Sequence, residues 1–273
     1  MQQHHRVRRL AAVAAASLSA VLAAPAAHAL TLYDDFSGSA ISPGRWDGKE
    51  STQYGATVSE SRRAIQTGAL RIEVKGWSDQ HTNLGTGRAR NEVIFENSAN
   101  ITEMKATVTP RLASAGACAG NAMAGASRAR LIGTFFNIGD VKPGNEYNDV
   151  IASIQIYRLS NSADAAGVLK VLGSVSICAD SECIGSNPVG SVDLGAATIN
   201  TPTDLHVTWD KANKQFIFQK GTEPTQNVVY TYAESHVPAY AAKRLEAIAD
   251  ISNCTATRTV TTTWVDFDNV YTN

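Results

Sequence analysis

Trp264-Val265-Asp266-Phe267-Asp268-Asn269-Val270-Tyr271 closes the chain with an alternation of apolar and acidic residues. Val265 and Phe267 fall on one face and Asp266 and Asp268 on the other, the period of a half-buried β-strand. A chain that finishes on such a strand needs a central place for it. The natural partner is Tyr33-Asp34-Asp35-Phe36, followed by the turn-forming Ser37-Gly38-Ser39.

Residues 1–29 read as a leader rather than as part of the fold. Arg6, Arg8 and Arg9 precede an Ala/Leu/Val run from Leu10 to Leu22, and Ala27-His28-Ala29 is a small-residue cleavage pattern, which places the cut before Leu30. The apolar run is shorter than the roughly 20 residues of a membrane span. The expectation is an exported protein, secreted or periplasmic, with one domain over residues 30–273.

That domain has 244 residues, a length that all-β sandwiches reach as a single unit. Loss of the three arginines leaves 21 basic residues against 25 acidic ones, a net charge of −4. Such a balance argues against nucleic acid and anionic membrane as partners. Four cysteines in an exported chain favour disulfides. Cys178 and Cys183 bracket only Ala-Asp-Ser-Glu and suit a local bridge, which leaves Cys118 to pair with Cys254. Zinc is disfavoured, because the spacing lacks paired C-x-x-C and a nearby His.

Between the ends, short alternating runs recur between Gly, Pro and Asn turns. Leu70, Ile72 and Val74 share a face, as do Met104, Ala106 and Val108. Leu205–Asp210 and Gln215–Gln219 read as a hairpin about Lys211-Ala212-Asn213. Residues 111–127 are Ala/Gly/Ser-rich and read as a long irregular excursion tethered by Cys118. Residues 237–249 carry helix formers but also the alternation Leu245, Ala247, Ala249, Ile251, which favours a strand. About a dozen strands of this kind predict an all-β antiparallel sandwich of the jelly-roll type.

The opening Asp34-Asp35-Phe36-Ser37-Gly38-Ser39 with Trp46, the strand Leu205–Asp210 feeding Phe216–Lys220, and the closing Val265–Val270 resemble the concanavalin A-like lectin/glucanase group. The resemblance implies two curved sheets with a groove that often holds carbohydrate, and a structural calcium near the terminal strands, for which Asp34, Asp35, Asp266 and Asp268 supply hard oxygen ligands. Fold alone assigns no chemistry. The Glu-x-Asp-x-Glu arrangement of the retaining glucanases is absent from the chain. Arg90-Asn91-Glu92-Val93 resembles the Arg-x-Glu-Leu/Val motif of alginate lyases. Gln155-Ile156-Tyr157 stands in the order of their Gln-Ile/Val-His, and Phe216-Ile217-Phe218-Gln219-Lys220-Gly221 is similar to their Tyr-Phe-Lys-x-Gly. Tyr157 replaces the histidine, and no tyrosine follows Gly221 at the matching place.

The resemblance to lyases implies Arg90, Glu92, Gln155, Tyr157 and Lys220 as a catalytic set, which must converge in one groove to act. The plainer reading makes Arg90 and Glu92 an ion pair and Gln155 and Tyr157 a polar strand face. Trp77 and Tyr147, in polar stretches, are candidate sugar-stacking rings. The leading expectation is a carbohydrate-binding, lectin-like protein without a catalytic motif, with a polysaccharide or cell-surface glycan as partner. A polysaccharide lyase or other glycan-active enzyme comes second, and a structural or adhesive role third. The residues do not specify an oligomeric state.

Overall fold

The computed structural model describes residues 29–54, 57–78 and 81–273. The expected leader falls almost wholly outside them, as do Asp79 and Gln80 next to Trp77. The first eight strands are β1 (Thr31–Asp34), β2 (Trp46–Tyr54), β3 (Thr57–Gln66), β4 (Ala69–Ser78), β5 (Thr86–Phe95), β6 (Glu103–Ala115), β7 (Ala126–Asn137) and β8 (Asp149–Leu159). The remainder are β9 (Val168–Cys178), β10 (Ser186–Thr198), β11 (Thr203–Asp210), β12 (Gln215–Lys220), β13 (Gln226–Val229), β14 (Lys243–Ser252) and β15 (Val260–Thr272).

They form two antiparallel sheets. Sheet A runs β13-β12-β11-β6-β15-β4-β3, with β1 also paired to β15, and sheet B runs β10-β9-β8-β7-β14-β5-β2. The sandwich expectation holds, and so does the meeting of the ends, with Thr31 opposite Thr272 and Leu32 opposite Tyr271. Period-two patterning builds each layer. In β4, Leu70, Ile72 and Val74 are fully buried while Arg71, Glu73 and Lys75 point away from the core. Thr67 and Gly68 both take positive φ, which closes the β3–β4 hairpin in the twist that two-residue turns favour. The core between the sheets is capped by two aromatic groups, one around Trp46 and Phe95 (4.5 Å between centroids), the other around Phe136 and Trp209 (5.4 Å).

Three local expectations change. The excursion is shorter than 111–127, because Arg111–Ala115 continue β6 and pair with β15; only residues 116–125 are irregular. Those five residues are weakly patterned, but a central ladder supplies the hydrogen bonds that their side chains do not promise. The 237–249 stretch is strand only from Lys243 onward. Trp77 is not in a loop: it extends β4, paired with Val58 on one side and Val260 on the other.

Both disulfides join as expected, Cys118 to Cys254 and Cys178 to Cys183. The first spans 136 residues and ties the 116–125 loop to the turn after β14. Replacing both of its cysteines by Ala is expected to lower the unfolding free energy by about 3–5 kcal/mol, because a loop this long releases much chain entropy when opened. Equilibrium denaturation in urea measures it, and an unchanged midpoint would refute the estimate.

Candidate functional site

Sheet B has one face in the core and one facing outward. On the outward face, register sets side chains of β5, β14, β7 and β8 in rows. One row is Arg90, Ile248, Arg128, Tyr157; the next is Glu92, Glu246, Arg130, Gln155; a third is Ile94, Arg244, Ile132, Ser153. Arg88 stands opposite Asp250 beside the first row. Among the described residues, five guanidinium groups thus share this surface with three carboxylates.

The carboxylates form a floor and the arginines rise from it. The side chains of Glu92, Glu246 and Asp250 are 0–7% exposed, those of the five arginines 8–29%. Asp250 accepts from Arg88 Nε (2.6 Å) and Arg128 Nε (2.8 Å). Burial opposes its ionisation, but the two guanidiniums outweigh burial and hold its pKa below the ordinary aspartate value. Arg130 Nε donates to Glu246 Oε1. Glu92 Oε2 lies 3.2 Å from Arg90 Nε and 3.7 Å from Arg244 Nε, and Glu246 Oε2 lies 3.7 Å from Arg244. These four buried atoms (Arg90 Nε, Arg244 Nε, Glu92 Oε2 and Glu246 Oε2) face one another as ion pairs but make no hydrogen bond.

Burial first, and then the charges of Arg88, Arg244, Arg128 and Arg90, push the Arg130 pKa well below its usual value. A guanidinium stays protonated in proteins all the same. The cluster therefore keeps its excess positive charge crowded together, an arrangement that an incoming anion relieves.

Glu92 and Glu246 sit directly opposite each other, a pairing that places Cβ atoms about 4.5–5.5 Å apart. Glycoside hydrolysis also uses paired carboxylates, but one of them must hold a proton at working pH. Here Arg90 and Arg244 flank Glu92, and Arg130 donates to Glu246, so both carboxylates are engaged with guanidinium groups. Their chemistry is to orient guanidinium groups.

Two cavities open above this face. The larger, about 480 Å³, is lined by Arg90, Glu92 and Arg244 and walled by Tyr54, Tyr240 and Glu182. Its volume is in the range of sites for small ligands. Arg90 donates to Tyr54 Oη at 3.1 Å and lies over that ring. Burial raises the Tyr240 pKa, with Arg244 opposing the rise. The second cavity, about 210 Å³, lies over Arg128, Arg130, Gln155 and Ser153.

The sequence-predicted residues divide. Arg90, Glu92, Gln155 and Tyr157 share the outward face, and Arg90 pairs with Glu92 as the plainer reading expected. Three strand spacings separate Arg90 from Tyr157, about 14 Å. Gln155 and Tyr157 are instead neighbours of Arg128, which donates to Gln155 Oε1 at 3.4 Å and lies over the Tyr157 ring. Lys220 is in sheet A, where its ammonium donates to the Ala196 carbonyl and pairs with Glu223. The five-residue constellation therefore does not converge. Trp77 lies on sheet A with Lys75 over its ring at 4.6 Å, and Tyr147 is half exposed on the β7–β8 loop without lining the larger cavity.

The four calcium candidates do not form a shell either. Asp266 is buried between Arg71 (2.7 Å) and Arg111 (2.7 Å). Asp34 accepts from Trp46 Nε1 (2.7 Å) and Arg45 (3.1 Å), and Asp35 turns to Ser37. Asp266 and Asp34, already paired with guanidinium groups, do not fit a hard cation, while burial and then the nearby charge of Asp35 raise the Asp268 pKa. Among the described residues the one cluster with metal-ligating atoms close together is Glu146 with Cys178 and Cys183, whose sulfurs are bonded to each other. No helix among the described residues is long and apolar enough to cross a membrane.

No family model matches the chain, and no curated protein matches it in sequence. Some solved structures are similar to it at low identity. A glycoside hydrolase family 16 endo-glucanase from Bacteroides ovatus is 7% identical over 86% of this chain and 98% of its own (TM-score 0.45). The alginate lyase Aly36B is 13% identical over 89% and 95% (TM-score 0.40). The carbohydrate recognition domain of Emp47p is 11% identical over 88% and 96% (TM-score 0.38). Likeness at this level transfers no ligand and no residue role to this chain.

Proposed function

We propose that this protein is an exported carbohydrate-binding sandwich that takes an anionic polysaccharide on the outward face of sheet B. The observation that carries the reading is charge placement. A chain of net charge −1 gathers five arginines over three carboxylates on one face. Guanidinium presents a planar fork that matches carboxylate and sulfate groups. The Tyr54 and Tyr240 rings beside the larger cavity offer apolar faces for a sugar. The leader-like residues 1–29 support export.

Calorimetric titration with polygalacturonate and with a neutral β-glucan tests this, repeated at raised salt. Polygalacturonate is expected to bind, weakening with salt, and the neutral glucan to bind poorly. Arg128→Ala should weaken polygalacturonate binding about tenfold, the worth of one charge-assisted hydrogen bond. Equal binding of both glycans, or none of polygalacturonate, would refute the reading.

Lyase action is the second reading, favoured by the Arg90–Tyr54 contact. Arg244 lines the same cavity, where it would meet a uronate carboxylate; Tyr54 as base takes the C5 proton, the C4–C5 double bond forms as the C4–O bond breaks, and the proton passes to the departing oxygen. Ultraviolet absorbance of the unsaturated product, lost in Tyr54→Phe, would establish it. A flat trace with retained binding leaves the binding module.

A further inference from the structure

The two cavities above sheet B are separate compartments. The β9–β10 connection folds back over the sheet, where Glu182, Cys183 and Ile184 meet Arg88 and Arg130 around a space of about 20 Å³. That is room for about one water molecule. The connection is held in place. Cys178–Cys183 closes it, and the Asp180 carboxylate accepts from the N–H groups of Glu182 (3.1 Å), Ile184 (2.9 Å) and Gly185 (2.6 Å).

The two walls differ in charge. The larger cavity is lined by Arg90 and Arg244 but also by Glu92, Glu146 and Glu182. The cavity of about 210 Å³ is lined by Arg88, Arg128 and Arg130, and among the described residues no carboxylate lines it. The carboxylates that answer these arginines lie beneath them: Asp250 holds Arg88 and Arg128 through Nε, and Glu246 holds Arg130 through Nε. A guanidinium anchored at Nε keeps its terminal nitrogens as donors for whatever enters from above. Burial and the charges of Arg88, Arg244 and Arg128 all disfavour the Arg130 cation, a strain that an anion among these arginines relieves.

We propose that the smaller cavity is a separate site for a tetrahedral oxyanion of the sulfate class, free or carried on a sugar as an ester. Hydroxyl groups complete the wall opposite the arginines, Ser153 on β8 and Ser174 and Ser176 on β9. Ser153 Oγ and Ser174 Oγ are 3.0 Å apart, so one donates to the other and the accepting hydroxyl keeps its own proton for a ligand. Donors thus converge from β5, β7, β8 and β9. A sulfate group, with oxygens pointing several ways, uses such an array more fully than a planar carboxylate does. The volume falls below the roughly 300 Å³ at which pockets for small organic ligands begin, and no aromatic ring lines the cavity to stack on a sugar. This site does not require the anionic-polysaccharide reading. Arg128 belongs to both, so the serines supply the test.

Titration calorimetry with sodium sulfate, galactose 6-sulfate and sodium acetate, at an ionic strength held constant with chloride, tests the site. Sulfate should bind the parent at least about tenfold more tightly than acetate, the worth of one further charge-assisted hydrogen bond. Ser174→Ala removes a donor and should weaken sulfate binding about tenfold. Ser176→Asp sets a carboxylate in the wall and should abolish it. Unfolding midpoints accompany both variants, so that if one misfolds the other decides. Galactose 6-sulfate bound as well as sulfate supports the site and admits an ester; sulfate bound without it supports the site for the free ion. The proposal is overturned if the parent fails to bind sulfate or binds acetate as tightly. It is also overturned if sulfate affinity is unchanged in a serine variant that keeps the parent's midpoint. Polygalacturonate binding, measured separately, decides the glycan reading on its own.

Discussion

Arg130→Met is expected to cost about 3–5 kcal/mol of stability, the penalty of leaving a buried charge without its partner. Glu246 is fully buried, and Arg130 is its hydrogen-bonding partner, with Arg244 and Arg90 farther off at 3.7 and 3.9 Å. Removing Arg130 takes away that hydrogen bond and leaves the buried carboxylate to the two more distant arginines. The double variant Arg130→Met/Glu246→Met should recover most of the loss, since neither charge is then buried alone. Urea midpoints of the parent, Arg130→Met, Glu246→Met and the double variant give the cycle. Additive losses would show that the pair is not coupled and that the floor-and-arginine description of the groove is wrong.

Lys243→Met is expected to act in the opposite direction. Lys243 shares strand parity with Leu245, so it projects between the sheets, where it is 1% exposed. Its ammonium donates to the Thr134 carbonyl at 2.7 Å and sits 4.6 Å from the centre of the Phe135 ring. Burial alone brings its pKa from 10.5 to about 7. The folded state thus releases a proton that the unfolded chain keeps between those values. Stability should rise with pH from about 7 to about 10, and the full penalty should persist below about 7. The ceiling of that penalty is about 5 kcal/mol; a methionine of similar length should recover about 1–3 kcal/mol of it near pH 6. The variant should also flatten the pH slope. A less stable variant at pH about 6, with the parent's slope retained, would mean that the hydrogen bond and ring contact outweigh burial.

The architecture was legible because period two is a strong signal wherever one face is buried. Val265 and Phe267 were placed correctly, and the pairing of β1 with β15 followed from where such a strand must go. The site was less legible. Arg88-Ala89-Arg90 and Arg128-Ala129-Arg130 carry the same two-residue spacing, which puts both arginines of each triplet on one strand face. That repeat is the clue the sequence carries, since it brings two arginines to one face of each strand without making a basic run. Arg244, Glu246 and Asp250 reach the cluster only through β14 inserting between β5 and β7, a long-range pairing that no local pattern specifies. Glu92 stands in the lyase-like set, but Glu246 faces it from the next strand, a pairing that no spacing along one strand reports. Asp266 and Asp268 read as one strand face, and nothing local shows that Arg71 and Arg111 from the flanking strands enclose Asp266.

The place of β15 in sheet A has a consequence for how the chain assembles. Residues 260–272 are inserted between β4 and β6, far earlier in the sequence, and hold β1 as well. Until they arrive, β4 and β6 each expose an unpaired backbone edge with Leu70, Ile72 and Met104 uncovered beside it. A polypeptide emerging in order therefore has no partial sheet A that resembles the finished one, and its middle is the last part to be made. Folding of sheet A must wait until residues 260–272 are made and is expected to be slow, as pairings of long sequence separation are. In that interval the nascent chain is open to strand exchange with its own copies and to capture by holdase chaperones.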